Sequence, residues 1–245
     1  MLESLSLKNK IPTHSFIYFL PPKKCLFFYF TVQRAHLQWF FHFFFVHTFG
    51  SFHYLYKMET LFRFFAQFQP ISTDAQEAIR EICSVIHLKK NEELQPIGHT
   101  CRTIYFVKKG IARIYYYKDG IDITESFSFE NSIIARVESL FTTKPSRKAI
   151  QIIEDAELIA INATQLFRLY DIHPSIERLF RKIFEKGYVE TVNRMESLQF
   201  HTAEERYSAL LHEAPDLLRR VPLKYIASYL GITQVSLSRI RATLK

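Results

Sequence analysis

Apolar residues recur at helical spacing near the end of the chain. Leu223, Ile226, Ala227 and Leu230 fall at i, i+3, i+4 and i+7, on one face of a helix. Pro222 suits the first turn of that helix, because its missing N–H would have no intrahelical partner there. Gly231 follows Leu230, where a left-handed residue commonly ends a helix, and Thr233 stands where its hydroxyl can cap a second one. In that second helix Leu237, Ile240 and Leu244 cluster on one side. Val235, Ser238, Arg239 and Ala242 lie roughly opposite, with Gln234 at the edge. One apolar face for docking and one face of short or hydrogen-bonding side chains predicts a helix-turn-helix whose second helix enters a major groove. A two-helix corner on any domain surface shares the periodicity, so the pattern needs a second observation.

Upstream, the period changes. Residues 58–69 predict a helix ended by Pro70, and Thr73 with Gln76 predicts a capping box for a helix to about Val85. Residues 85–161 then predict short strands: Ile104–Val107, Ile111–Tyr117, Ile121–Phe129, Ile150–Ile153 and Leu158–Ile161. Asp119-Gly120 is a two-residue hairpin signal, and Glu154-Asp155 reads as a turn. Alternation places Ile123, Glu125, Phe127 and Phe129 on one side of their strand. Short strands at this spacing imply a closed or double-sheet antiparallel barrel such as a jelly roll. A short helix over Thr164–Tyr170 follows. A long one runs from Pro174 to about Phe200, with Ile176, Leu179, Phe180, Ile183, Phe184, Tyr188, Val192, Met195 and Leu198 at three-four spacing. So long a stripe can bury against a barrel, a partner helix, or both, and between two domains it favours a dimer seam.

Charge supplies the second observation. Residues 58–216 hold 20 basic and 23 acidic residues, while from Leu217 onward there are six basic residues and no acid. Arg219, Arg220, Lys224, Arg239, Arg241 and Lys245 concentrate positive charge in the candidate reading head, where it can neutralise phosphates or read guanine edges.

Residues 1–57 differ from the rest. They carry 12 of the 24 Phe and five of the ten His, with six basic residues against Glu3 alone. Residues 26–46 are the only stretch near membrane-spanning length, and Gln33, Arg34, His36, Gln38 and His42 interrupt it at a high cost in a bilayer. The segment reads as a non-native or disordered extension, such as translated AT-rich non-coding DNA gives. The domain plan is then 1–57 extension, 58–173 barrel, 174–200 long helix and 201–245 head.

Three patches carry a resemblance. Ile104-Tyr105-Phe106-Val107-Lys108-Lys109-Gly110 resembles a strand–turn of a cyclic-nucleotide-binding-like barrel, Thr202-Ala203-Glu204-Glu205-Arg206-Tyr207 the run entering a DNA-binding domain, and Val221–Arg241 a helix-turn-helix. Over residues 58–245 the chain resembles the Crp/Fnr superfamily of bacterial transcription regulators, its last patch most closely the Bacteroidetes members. The resemblance implies an α+β fold: an antiparallel β jelly-roll barrel, a long dimerisation helix and a C-terminal winged-helix-like helix-turn-helix domain. It implies a cytoplasmic homodimer on double-stranded DNA, with RNA polymerase as a further partner. DNA contacts are expected from Lys224, Thr233, Gln234, Val235, Ser236, Ser238, Arg239 and Arg241, with base edges met by Gln234, Val235 and Arg239. Val235 stands where the family usually has an acid, which suits a thymine methyl instead.

For an effector, the resemblance points to Glu138, Ser139, Ser146 and Arg147. No Gly precedes Glu138, and Arg147 is displaced by one position from the family's Arg. A cyclic nucleotide, another small molecule and a ligand-free barrel therefore stay open, and no bound cofactor is implied. The competing function is a membrane-anchored sensor using residues 26–46. An enzyme is disfavoured: the sequence has no GxSxG, GxGxxG or Walker loop, and His87, His99, His173, His201 and His212 show no metal-ligand pairing. Cys25, Cys83 and Cys101 form no CxxC, so neither a disulfide framework nor a four-Cys cluster is expected. The native chain is expected to begin at Met58. Mass spectrometry of the N-terminus checks this, and peptides from upstream of Met58 would refute it.

Overall fold

The computed structural model describes residues 58–243. The unusual first 57 residues, the candidate span at 26–46, Leu244 and Lys245 lie outside them. A first helix, α1, covers residues 58–66. The next helix, α2 (Thr73–Glu81), is capped by Ser72, whose Oγ accepts from the Ala75 N–H at 3.3 Å. The expected Thr73–Gln76 box does not form, since Thr73 is already inside the helix and Gln76 donates to the Ile71 carbonyl. Nor does the helix reach Val85. Cys83–Leu88 is extended instead and pairs with Ala156–Ile161, because a sheet edge is there to receive it.

Eight strands follow the double-sheet scheme. They are β1 (Cys83–Leu88), β2 (Glu93–Gln95), β3 (Thr103–Lys109), β4 (Ala112–Lys118), β5 (Ile121–Ser128), β6 (Ser132–Ile134), β7 (Ala149–Ile152) and β8 (Ala156–Asn162). One sheet runs β1-β8-β3-β6 and the other β2-β7-β4-β5, every pair antiparallel. This order is a jelly roll. Val107, Ala112, Ile114, Ile134, Ile150, Ile152 and Leu158 form the apolar layer between the sheets. A helix α3 (Val137–Thr142) lies between β6 and β7.

The outer face of the first sheet is covered by helices. Ile104, Phe106, Ile159 and Ile161 meet Met58, Leu61 and Phe65 of α1, Ile79 of α2, Leu166 of α4 (Ala163–Ile172) and Ile176, Leu179 and Phe180 of α5 (Pro174–Phe200). Phe64 packs 5.3 Å from Phe106, and Phe65 packs edge-on 5.5 Å from Phe180, as measured between ring centroids. The apolar stripe of α5 therefore divides. Its first half, through Ile183, is buried on the barrel. Beyond it Tyr188, Val189, Met195 and Leu198 are exposed, Tyr188 at 72%.

Strand β5 breaks the expected alternation. Ile114 pairs with Ser126 and Tyr115 with Thr124, so Glu125 is an extra, bulged residue. Tyr116 pairs with Ile123, while Arg113 pairs with Phe127. Ile123 and Phe127 therefore fall on opposite faces, and the four-residue row expected from the sequence is split. Asp122 and Thr124 before the bulge share a face with Phe127 after it.

Four helices make the C-terminal head: α6 (Ala203–Glu213), α7 (Leu217–Arg220), α8 (Leu223–Tyr229) and α9 (Gln234–Thr243). Thr202 caps α6 in a full box with Glu205, their hydrogen bonds being 3.2 and 2.7 Å. No strand occurs in the head among the described residues.

The half-exposed, apolar second half of α5 generates an expectation about assembly. Val192→Glu would place a charge in a seam formed with a second copy, at a cost of several kcal/mol if it stays buried. Sedimentation should show dimer for the parent and monomer for the variant. An unchanged dimer would place the interface elsewhere.

Candidate nucleic-acid interface and its seat on the barrel

The turn between α8 and α9 is built by hydrogen bonds that require a left-handed residue. Gly231 has φ +69°, its N–H donates to the Ser228 carbonyl, and the Ile232 N–H donates to the Ala227 carbonyl, each at 3.0 Å. This pair is the Schellman ending of a helix. A Cβ on Gly231 would sit 3.5 Å from Leu198 of α5, so the conformation rather than space demands glycine. Thr233 then caps α9: its Oγ1 accepts from the Ser236 N–H at 3.1 Å. Pro222 stands one place outside α8, as its cap residue, with ψ 135°.

Packing divides α9 as its periodicity predicts. Leu237 and Ile240 are buried with Ile226, Ala227 and Leu230 of α8. Thr233, Gln234, Val235, Ser238 and Arg239 are exposed, while Ser236 and Arg241 are half-buried. Val235 is 62% exposed, a large apolar surface for a residue with no partner in the chain's own core. Lys224 is exposed on α8, its Nζ 4.7 Å from the ring centroid of Tyr225. The two arginines of α7 are not free. Arg219 is held by Asp216, and Arg220 by Glu130 and Glu154 of the barrel.

The head is seated by groups that periodicity did not reveal. Arg113 of β4 is 1% exposed. It donates to both oxygens of Asp122 at 2.5 and 2.6 Å, to Thr124 Oγ1 at 2.9 Å and to Gln151 Oε1 at 3.0 Å. Its guanidinium carbon lies 4.3 Å from the ring centroid of Tyr115 and 3.6 Å from that of Tyr225 on α8. Beside it, Ser228 Oγ accepts from the Thr124 N–H at 2.8 Å and donates to the Asp122 carbonyl at 3.0 Å. Phe127, across the bulge, lies 5.3 Å from Tyr229. Ile111 and Ile153 join Leu217, Val221, Tyr225 and Ile226 in one apolar cluster.

The far end of α8 is gripped by two more cations. Arg206 donates to the Leu230 carbonyl from Nε at 3.1 Å and from Nη2 at 2.8 Å. Arg194 of α5 donates to the Tyr229 carbonyl and lies 3.9 Å over its ring. Cations complete the unsatisfied carbonyls at a helix C-terminus. Burial lowers the pKa of Arg194, chiefly through desolvation, and its Nε has no partner among the described residues.

The effector residues expected in the barrel differ in their surroundings. Ser139 and Ser146 are buried in structural bonds. Ser139 Oγ accepts from the Cys101 N–H at 2.9 Å and donates to the Lys144 carbonyl, while Ser146 Oγ donates to the Lys148 carbonyl at 2.9 Å. Glu138 and Arg147 are exposed. A different polar cluster occupies the region. Arg136, 5% exposed, pairs with Glu125 at 3.5 Å and donates to Ser146 Oγ at 3.4 Å, and Lys148 holds the same Glu125 carboxylate. No sequence motif marks it, because Glu125 reaches it through the bulge.

Comparison with solved structures shows which fold this is. FixK2 from Bradyrhizobium japonicum superposes with a TM-score of 0.59 at 21% identity, over 66% of this chain and 84% of that one. A protein of Eubacterium rectale assigned to the Crp/Fnr family of transcriptional regulators gives 0.58 at 17% identity, over 69% and 82%. The c-di-GMP-responsive global regulator CLP of Xanthomonas campestris gives 0.57 at 17%, over 71% and 91%. The chain has the Crp/Fnr fold. No protein-family model matches the sequence, and no curated protein matches it either. Among the described residues no helix is long and apolar enough to cross a membrane.

Arg113→Met removes a cation from both rings and leaves Asp122 without its bidentate partner. Asp122 is one-third exposed and can partly rehydrate, so a loss of about 2–4 kcal/mol is expected. Hydrogen exchange should accelerate in α8 before the first sheet responds. Uniform acceleration, or none, would mean that Arg113 does not seat the head.

Proposed function

We propose that this chain is a homodimeric, sequence-specific DNA-binding transcription regulator of the Crp/Fnr type, working in the cytoplasm. The observation that carries it is the exposed face of α9, where Gln234, Val235, Ser238 and Arg239 stand clear of a buried Leu237/Ile240 face. Such a helix lies in a major groove, and two of them about a two-fold axis read half-sites about 34 Å apart. Arg239 pairs with guanine O6 and N7, Val235 meets a thymine methyl, and Gln234 reaches an adjacent edge. Thr233, Ser236, Ser238, Arg241 and Lys224 then position the head on phosphates. The exposed second half of α5 supplies the dimer seam.

The barrel is the sensor. Arg136 and Lys148 share one carboxylate, Glu125, so an anionic effector could take Glu125's place between them. This cluster, rather than Glu138 and Arg147, is the better candidate for effector recognition.

Two measurements test these roles. Arg239→Ala should weaken specific binding by about tenfold or more and relax preference at one position per half-site, since a bidentate Arg–guanine contact is worth about 1–3 kcal/mol. Lys224→Ala should weaken binding to all sequences alike and flatten the salt dependence. Equal losses of specific and non-specific binding in Arg239→Ala would make Arg239 a phosphate contact and overturn the reading face. For the barrel, inorganic phosphate or cyclic AMP should raise the melting temperature of the parent but not of Arg136→Met. Equal shifts in both proteins would put the anion elsewhere.

A further inference from the structure

Arg220 ends α7, just ahead of α8, and its guanidinium is bracketed by two carboxylates of the barrel. Nη1 and Nη2 donate to Glu130 at 3.1 and 2.5 Å, Nε donates to the two Glu154 oxygens at 3.2 and 3.3 Å, and Nη2 also reaches Glu154 Oε1. Two carboxylates on one guanidinium present four oxygens around a planar fork, a coordination that phosphate oxygens also satisfy. All three side chains keep about a third of their surface in solvent: 29% for Arg220, 31% for Glu130 and 32% for Glu154. The cluster is therefore open to a competitor. Glu130 also accepts the Gly110 N–H at 2.9 Å, which fixes the carboxylate on the barrel side.

The position matters because the first helix of a helix-turn-helix crosses the sugar-phosphate backbone. Arg220 stands at the approach to that helix, and Lys224 follows, exposed, in its first turn. We propose that Arg220 is a phosphate contact of the DNA-bound head that the barrel masks in this conformation, with Glu130 and Glu154 standing in for phosphate oxygens. The barrel thereby sets overall DNA affinity without touching a base-reading residue. This rests on the DNA-binding reading above.

The test uses the full chain and two duplexes, one selected from random sequence by the parent protein and one unrelated. Glu130→Gln combined with Glu154→Gln should tighten binding to both duplexes by the same factor, severalfold at 50 mM salt. One more phosphate contact steepens the salt dependence by about 0.9 per decade, so the gain should shrink about 3.5-fold between 50 and 200 mM. Adding Arg220→Ala should abolish both the gain and the extra slope. A charge-matched pair, Glu59→Gln with Glu81→Gln, removes two exposed negative charges on the helices that cover the first sheet and should leave the slope at the parent value. The proposal is overturned if the Glu130/Glu154 variant binds no tighter, if its gain survives Arg220→Ala, or if the charge-matched pair gives the same slope. Single Glu154→Gln, which leaves the Glu130–Gly110 bond intact, should show part of the gain and guards against a folding defect in the double variant. Failure of the parent to select any duplex would instead sink the DNA-binding function itself, a separate and recognisable result.

Discussion

A single buried cation organises the contact between the two halves of this molecule. Arg113 is out of water, and a guanidinium in that position is tolerated only when its donors are satisfied and its charge is met. Asp122, Thr124 and Gln151 do so from the barrel, and the rings of Tyr115 and Tyr225 pack against the guanidinium. Tyr225 belongs to α8, so desolvation of the charge is complete only when the head is seated. A loose head would expose the flat face of Arg113 and leave Ser228 and Arg220 without their barrel partners. The interface thus carries polar terms that reward one placement of the head, where an apolar cluster alone would accept several.

From that seat the geometry of α9 follows. Helix α8 is held along its length by β4 and β5 and at its C-terminal carbonyls by Arg194 and Arg206. The Schellman turn at Gly231 then leaves α9 little freedom, because the Ile232 and Gly231 N–H groups are tied back to α8 itself. Arg194 comes from α5, the helix whose exposed half is expected to meet a second copy. The barrel, the long helix α5 and the turn into α9 therefore all refer to one seven-residue helix.

Much of this was readable from residues alone, and the boundary has a physical cause. The two faces of α9 follow from the 3.6 period, and the Gly231 and Thr233 signals from backbone chemistry that does not depend on the rest of the fold. The longer strands β3, β4, β5 and β8 contain enough β-branched and aromatic residues to declare themselves. Strands β2 and β6, three residues each, do not, since pairing partners rather than intrinsic preference extend them. Ser72 against Thr73 is the ordinary one-residue ambiguity of a helix start, decided by which hydroxyl reaches an N–H. Arg113 and Arg136 were visible as charges next to apolar runs, but the residues that satisfy them lie on other elements. Glu138 and Arg147 were named as ligand groups from their side-chain types and place in the resemblance alone. Their exposure and the occupied hydroxyls of Ser139 and Ser146 are tertiary facts with no local signal.

The bulge at Glu125 has a consequence for how such a protein can change over generations. In a regular strand, gaining or losing one residue turns every later side chain to the other face. Here the extra residue is already absorbed, with Asp122 and Thr124 on one side of it and Phe127 on the other, all turned toward the head. Glu125 itself is turned to the barrel's ionic cluster. A one-residue deletion at this point would restore ideal pleating and leave Phe127 opposite Arg113, still facing Tyr229, while removing Glu125 from Arg136 and Lys148. Substitutions at Glu125 likewise alter the ionic cluster and keep the docking side in register. The irregularity divides one strand into a residue free to vary with the barrel's ionic cluster and a part held constant by the head.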